Sequence, residues 1–230
     1  MKTLGLIGGM SWESTVPYYR MINEQVKQQL GGLHSAQLVL YSVDFARIEQ
    51  LQMQGAWQEA GQILGDAAAA LRRAGAEVIV LCTNTMHKVA GDIERIGGLP
   101  LLHIADATAQ AVQQQGIRRV ALLGTRFTME QDFYKGRLAQ QFGMEVIVPD
   151  EADRDTVHRI IYDELCLGII RDESRDAYRR IMHRLESQGA GGIILGCTEI
   201  ALLVGPQDAQ VPVFDTTALH AVAAARFALA

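Results

Sequence analysis

Two short polar segments, each closing an apolar run, carry the side chains best suited to proton chemistry: Leu81-Cys82-Thr83-Asn84-Thr85-Met86-His87 and Leu195-Gly196-Cys197-Thr198-Glu199. A thiol, with a reference pKa near ~8.5, is set as acid or base near neutral pH by modest changes in its surroundings. A Thr hydroxyl is a far weaker acid and serves best by passing on a proton with help from water. The run Gly75-Ala76-Glu77-Val78-Ile79-Val80-Leu81-Cys82-Thr83 lies over Gly189-Ala190-Gly191-Gly192-Ile193-Ile194-Leu195-Gly196-Cys197 at a single shift of 114 positions, which makes Thr83 and Cys197 equivalent residues. Inversion at a carbon needs a proton removed from one face and another returned to the opposite face, and one group in each of two similar halves meets that need.

The elements that must position these groups repeat as well. Gly8 and Gly124 end corresponding runs at a shift of 116, and Pro100 and Pro212 precede corresponding runs at 112. Three landmarks with nearly one offset indicate a duplication. Short Val-, Ile- and Leu-rich runs alternate with longer helical patterns, as in parallel sheets covered by helices, so the class is α/β. Strands are expected near Thr3–Gly8, Gln37–Val43, Glu77–Cys82, Leu101–Ile104, Arg119–Gly124, Met144–Val148, Gly192–Gly196 and Val211–Phe214. The apolar spacing of Ala60, Ile63, Leu64, Ala67 and Leu71 predicts a helix over Trp57–Ala74, and Ala177, Ile181, Met182 and Leu185 predict one over Ser174–Gln188. The expected organisation is two pseudosymmetric subdomains, residues 1–103 with 216–230 and residues 104–215. Ligands in open parallel sheets bind beyond the carboxyl ends of the strands, so the site is expected in a cleft between the halves, where Thr83 and Cys197 end their strands.

A helix start is expected directly after each motif. Oriented N–H groups there would lower the Cys197 pKa and favour its thiolate. The same turns, with Asn84 and Thr85 in one half and Thr198 and Glu199 in the other, would hold a substrate's carboxylates or cap the helices, and both roles are compatible. Gly8-Gly9-Met10 has the spacing of neither a dinucleotide fingerprint nor a P-loop, so its glycines are read as letting backbone approach a small ligand beside Met10. Cys82 points to the opposite face of its strand from Thr83 and aligns with Gly196, which makes it a packing residue. His87 is either a proton relay beside the first motif or a surface or capping residue.

Composition narrows the partners. A net charge of −5 without a basic stripe excludes nucleic acid, and no unbroken apolar run reaches the ~18 residues of a membrane span. Cys82, Cys166 and Cys197 are an odd number at wide spacing, which suits neither zinc nor a disulfide framework and fits reduced thiols in the cytoplasm. The four lysines stand in no pyridoxal-phosphate context. A small-molecule partner is expected, with no metal.

The two motifs, together with Gly8-Gly9-Met10-Ser11 and Leu123-Gly124-Thr125, resemble the paired signatures of the aspartate/glutamate racemase family over essentially the whole chain. The resemblance implies an amino-acid substrate, no pyridoxal phosphate, metal or nucleotide cofactor, a homodimer, and substrate contacts from Gln52, Thr125, Thr128 and Glu164 beside the motif residues. A solvated place on its helix is the alternative for Gln52. Where that family keeps a Cys before the Asn-Thr pair this chain has Thr83, the pattern of its L-aspartate/glutamate-specific subgroup. Maleate isomerases, hydantoin racemases and arylmalonate decarboxylases use similar strand-end cysteines and remain alternatives, as does a binding protein with weakened catalysis. A binder would exchange no α-proton with solvent. The cofactor expectation is tested by exhaustive dialysis against a chelator plus a carbonyl-trapping reagent: activity should be retained, and a loss restored by pyridoxal phosphate would refute it.

Overall fold

The computed structural model describes residues 1–230 and divides into two compact units, residues 1–104 with 220–230 and residues 105–219. Along the chain run β1 (Leu4–Gly8), α1 (Trp12–Leu30), β2 (Leu38–Ser42), α2 (Phe45–Met53), α3 (Trp57–Arg73), β3 (Val78–Leu81), α4 (Ala90–Gly97), β4 (Leu101–Leu102) and α5 (Ile104–Gln114). There follow β5 (Arg119–Gly124), α6 (Arg126–Glu130), α7 (Asp132–Phe142), β6 (Glu145–Ile147), α8 (Glu151–Asp163), α9 (Asp172–Ser187), β7 (Ile193–Gly196), β8 (Val213–Asp215) and α10 (Thr216–Leu229). Every expected strand is present, in an α/β fold. The fourth is shorter than expected, because Ile104 begins α5 instead of extending the strand.

Each unit holds one four-stranded, all-parallel sheet, and the two share an order: β2-β1-β3-β4 and β6-β5-β7-β8. The register is shared too. Ile7 pairs with Leu81 in the first sheet and Leu123 with Leu195 in the second, so the residue two beyond the pair is Thr83 in one unit and Cys197 in the other.

The central strands β1, β3, β5 and β7 are buried on both faces, which is why they read as continuous apolar runs, whereas the outer strand β2 leaves Leu40 and Tyr41 exposed. Along β3, Ile79 and Leu81 enter a core with Leu64 and Leu71 of α3, whereas Val78, Val80 and the following Cys82 enter another with Tyr18 and Ile22 of α1 and Ala221 and Ala224 of α10. Period-two alternation thus sends Cys82 away from the face of Leu81. In the second unit Leu123, Ile193 and Leu195 pack with Val157, Ile160, Tyr178 and Ile181 of α8 and α9.

Helix α3 buries Ala60, Leu64, Ala67, Ala68 and Leu71 at helical spacing, and Gly75 follows it at φ 95°. It meets α4 through its smallest residues. A Cβ on Gly65 would lie 2.6 Å from Ile96 Cβ, and one on Gly97 would lie 2.5 Å from Ala68 Cβ. Helix propensity favours Ala over Gly by ~1 kcal/mol, but overpacking costs ~1–3 kcal/mol, so packing wins at the contact. Gly65→Ala is expected to lower stability by ~1–2 kcal/mol in urea unfolding. Gly91→Ala, where a Cβ meets nothing within 4 Å, should leave stability unchanged or raise it by up to ~1 kcal/mol. A stabilised Gly65→Ala protein would contradict this account of the contact.

Candidate active site

In the first unit the candidate residues gather at the ends of β1 and β3. Gly9, at φ 88°, turns the chain where a Cβ would lie 2.3 Å from the Val43 carbonyl oxygen, so only glycine fits. Its N–H donates to Thr15 Oγ1 at 2.9 Å, and the Thr15 hydroxyl donates to the Ser11 carbonyl at 2.7 Å. Met10 enters the core that holds Met86, and Gln52, buried on α2, donates from Nε2 to the Met86 sulfur at 3.0 Å. Thr83, 7% exposed, donates its N–H to the Leu81 carbonyl at 2.9 Å. Asn84 and Thr85 are buried beside it. They do not open an α-helix as expected: a 3₁₀ turn over Thr85–Val89 intervenes before α4, and the Asn84 side chain makes no cap bond.

His87 is not a surface residue. It is 3% exposed, and its Nδ1 lies 2.8 Å from the Thr83 carbonyl oxygen, which can only accept, so Nδ1 carries the proton. Burial above all, then the neighbouring His103 and His220, hold its pKa well below the usual imidazole value of 6.5, against the opposing pull of the Thr83 and Leu102 carbonyls. The ring is therefore neutral and its bare Nε2 accepts the Ile104 N–H at 3.2 Å.

In the second unit the candidate residues gather at the ends of β5 and β7. Thr125 caps α6 by accepting the Thr128 N–H at 3.3 Å, and the two hydroxyls lie 3.2 Å apart. Cys197, also 7% exposed, donates its thiol proton to Glu199 Oε2 at 2.9 Å, and the Thr198 hydroxyl donates to the same oxygen at 2.8 Å. The expected helix start is absent here: only a three-residue 3₁₀ turn, Ile200–Leu202, follows. Burial above all, then the charge of Glu199, the neighbouring Cys166 and the bond to the Glu199 carboxylate, holds the Cys197 pKa well above the ordinary thiol value, outweighing the Glu199 backbone N–H, which lowers it. The expectation of a lowered pKa is thereby corrected: at rest the thiol is protonated.

Glu164 lies buried at the end of α8, where the Ser174 hydroxyl donates to it at 2.6 Å and Arg159 approaches to 3.6 Å. Tyr178 of α9 is a residue sequence reasoning missed. Burial above all, then its ionisable neighbours Cys197, Cys166, Glu164 and Glu199, pushes its phenol pKa well up, and its hydroxyl donates to the Val157 carbonyl at 3.4 Å. Its position on the apolar face of α9, four residues before Met182, was the available signal. No group of three or more His, Cys, Asp or Glu side chains is arranged to hold a metal ion. Nor is any helix long and apolar enough to cross a membrane. Cys82 is wholly buried, and its thiol pKa is driven up by burial alone, as befits a packing residue.

Residues 7–224 match the family model of the Asp/Glu/hydantoin racemases. Among solved structures, an Asp/Glu racemase candidate from Yersinia pestis is 70% identical with a TM-score of 0.93, and an aspartate racemase homologue from Pyrococcus horikoshii is 37% identical with a TM-score of 0.84. Both comparisons cover 100% of either chain. Among characterised sequences, a broad specificity amino-acid racemase of Bacillus subtilis is 22% identical over 222 residues, covering 94% of this chain and 93% of its own.

The neutral His87 makes the first half-site sensitive to acid. Between the unfolded pKa of ~6.5 and the lowered folded value, the unfolded chain binds a proton that the native chain does not, so stability falls as pH drops below ~6.5. Urea midpoints measured at pH 7.5 and ~5.5 should therefore fall further in the wild type than in His87→Asn, which lacks the titrating group. An equal fall in both would contradict the assignment of a neutral buried ring.

Proposed function

We infer the function from the premise that the chain belongs to the Asp/Glu/hydantoin racemase family: it is an amino-acid racemase, acting without a cofactor on L-aspartate or L-glutamate, with Cys197 on one face of the α-carbon and Thr83 on the other. The observation that carries this reading is the bond from the Cys197 thiol to Glu199, placed at the sheet position that Thr83 occupies in the other unit. A protonated thiol cannot remove an α-proton, and Glu199 supplies the acceptor that converts it into one that can.

In the proposed sequence Glu199 takes the thiol proton and the Cys197 thiolate takes the α-proton of the L-substrate, leaving a planar carbanion. Thr83 then gives its hydroxyl proton to the opposite face while water replaces it, because a free alkoxide would be too costly. The proton held between Cys197 and Glu199 returns to solvent and neutralises the hydroxide left there. One carbon-bound proton is lost and one is gained, and the side chains end as they began. The backbone and hydroxyls of Asn84, Thr85, Thr125 and Thr198, with Met10, Gln52 and Glu164, are assigned to binding the substrate around this axis.

The reading predicts unequal variants. Cys197→Ala should abolish α-proton exchange from either enantiomer, and Glu199→Gln should slow exchange from the L-side by ~10²-fold or more, the usual scale of a lost general base. Thr83→Ala should cut racemisation while sparing part of the L-side exchange, measured as deuterium uptake by NMR. Wild-type exchange and racemisation in Cys197→Ala would refute the mechanism. Equal exchange from both enantiomers, unchanged in Thr83→Ala, would remove Thr83 from it.

A further inference from the structure

A hydroxyl is a poor proton donor unless it is aimed well, and the backbone around Thr83 is held on both sides. Its N–H is bonded to the Leu81 carbonyl at 2.9 Å, and its carbonyl accepts from His87 Nδ1 at 2.8 Å. With both flanking peptide planes fixed, χ1 alone directs the hydroxyl, and a β-branched residue has little freedom there. We propose that His87 is the positioning residue for Thr83: donating from Nδ1 to the Thr83 carbonyl and accepting the Ile104 N–H at Nε2, its ring locks the turn that aims the hydroxyl.

The ring is itself braced. His103 lies against it with centroids 4.5 Å apart, and His220 stands at 6.0 Å. His220 Nε2 donates to the Leu102 carbonyl at 2.8 Å, while its Nδ1 lies 2.9 Å from the Tyr18 hydroxyl. The turn after β3 is thus tied through imidazoles to the β4–α5 junction, to α10 and to α1. An apolar side chain at 87 would fill the space but would strand a buried carbonyl and a buried N–H, so ordinary core packing does not account for histidine here. A proton relay is excluded by the same bonds, because both ring nitrogens are committed to backbone.

The assignment rests on the racemase reading, and its test separates the two. In the wild type, ¹⁵N spectra of labelled histidines should show His87 with a protonated Nδ1 and a bare Nε2 from pH 6 to 8; this needs no variant to fold. An Asn amide nitrogen falls where Nδ1 lies, whereas a Gln amide reaches toward Nε2. His87→Asn should therefore keep deuterium uptake from the D-enantiomer of aspartate within about threefold of wild type, and His87→Gln should lower it at least tenfold, with L-side uptake within about twofold in both. A protonated Nε2 would overturn the proposal. So would equal losses at both enantiomers in His87→Gln with no rescue by His87→Asn. Absence of exchange in the wild type would instead sink the racemase reading and take this role with it.

Discussion

The register of the two central strand pairs fixes everything that follows. In each unit the first and third strands run in parallel and end together, so the loops that leave them emerge side by side: Gly9 and Met10 beside Thr83, Thr125 beside Cys197. Glycine is required where those chains crowd. A Cβ on Gly124 would lie 2.8 Å from the Gly196 carbonyl oxygen, and one on Gly8 would lie 2.4 Å from the Thr15 side chain. A slip of one residue would bring Cys82 or Gly196 to the strand end and turn Thr83 or Cys197 into the sheet.

On this common frame the two units carry different chemistry. The second holds an ionisable group with its acceptor attached, since Glu199 folds back to within 2.9 Å of a thiol only two residues away. The first holds a hydroxyl that is at best a weak base, and its surroundings hold its geometry: a carbonyl held by His87, and His87 braced by His103 and His220. The group in the second unit is set electrostatically, and on the proposed reading the group in the first is set by position. On the proposed mechanism the two enantiomers are treated unequally in rate while the equilibrium between them is untouched.

The central strands and the repeat were legible because both-face burial writes continuous apolar runs, and a duplication writes them twice at nearly one offset. The direction of Cys82 was legible for a similar reason, since strand alternation is a local rule. What failed was the reading of the turns. Asn84 and Glu199 precede 3₁₀ turns, not α-helices, and nothing in residues 197–202 distinguishes the two. The sign of the Cys197 pKa shift then reversed, because burial and the Glu199 carboxylate, whose direction is a matter of backbone geometry, outweigh the one backbone N–H that lowers it. The imidazole cluster was out of reach altogether: Tyr18 and His220 meet across 202 residues of sequence, and spacing carries no trace of such a pairing.

The central claim, that different groups serve the two faces of one carbon, is tested most directly by the isotope content of the first product molecules. L-Aspartate is incubated in heavy water and the D-aspartate formed in the first few percent of conversion is isolated. Two groups, the second fed by solvent, predict deuterium at Cα in essentially every D-molecule. D-Aspartate that retains the original α-proton would show one group returning the proton it removed, and would contradict the account.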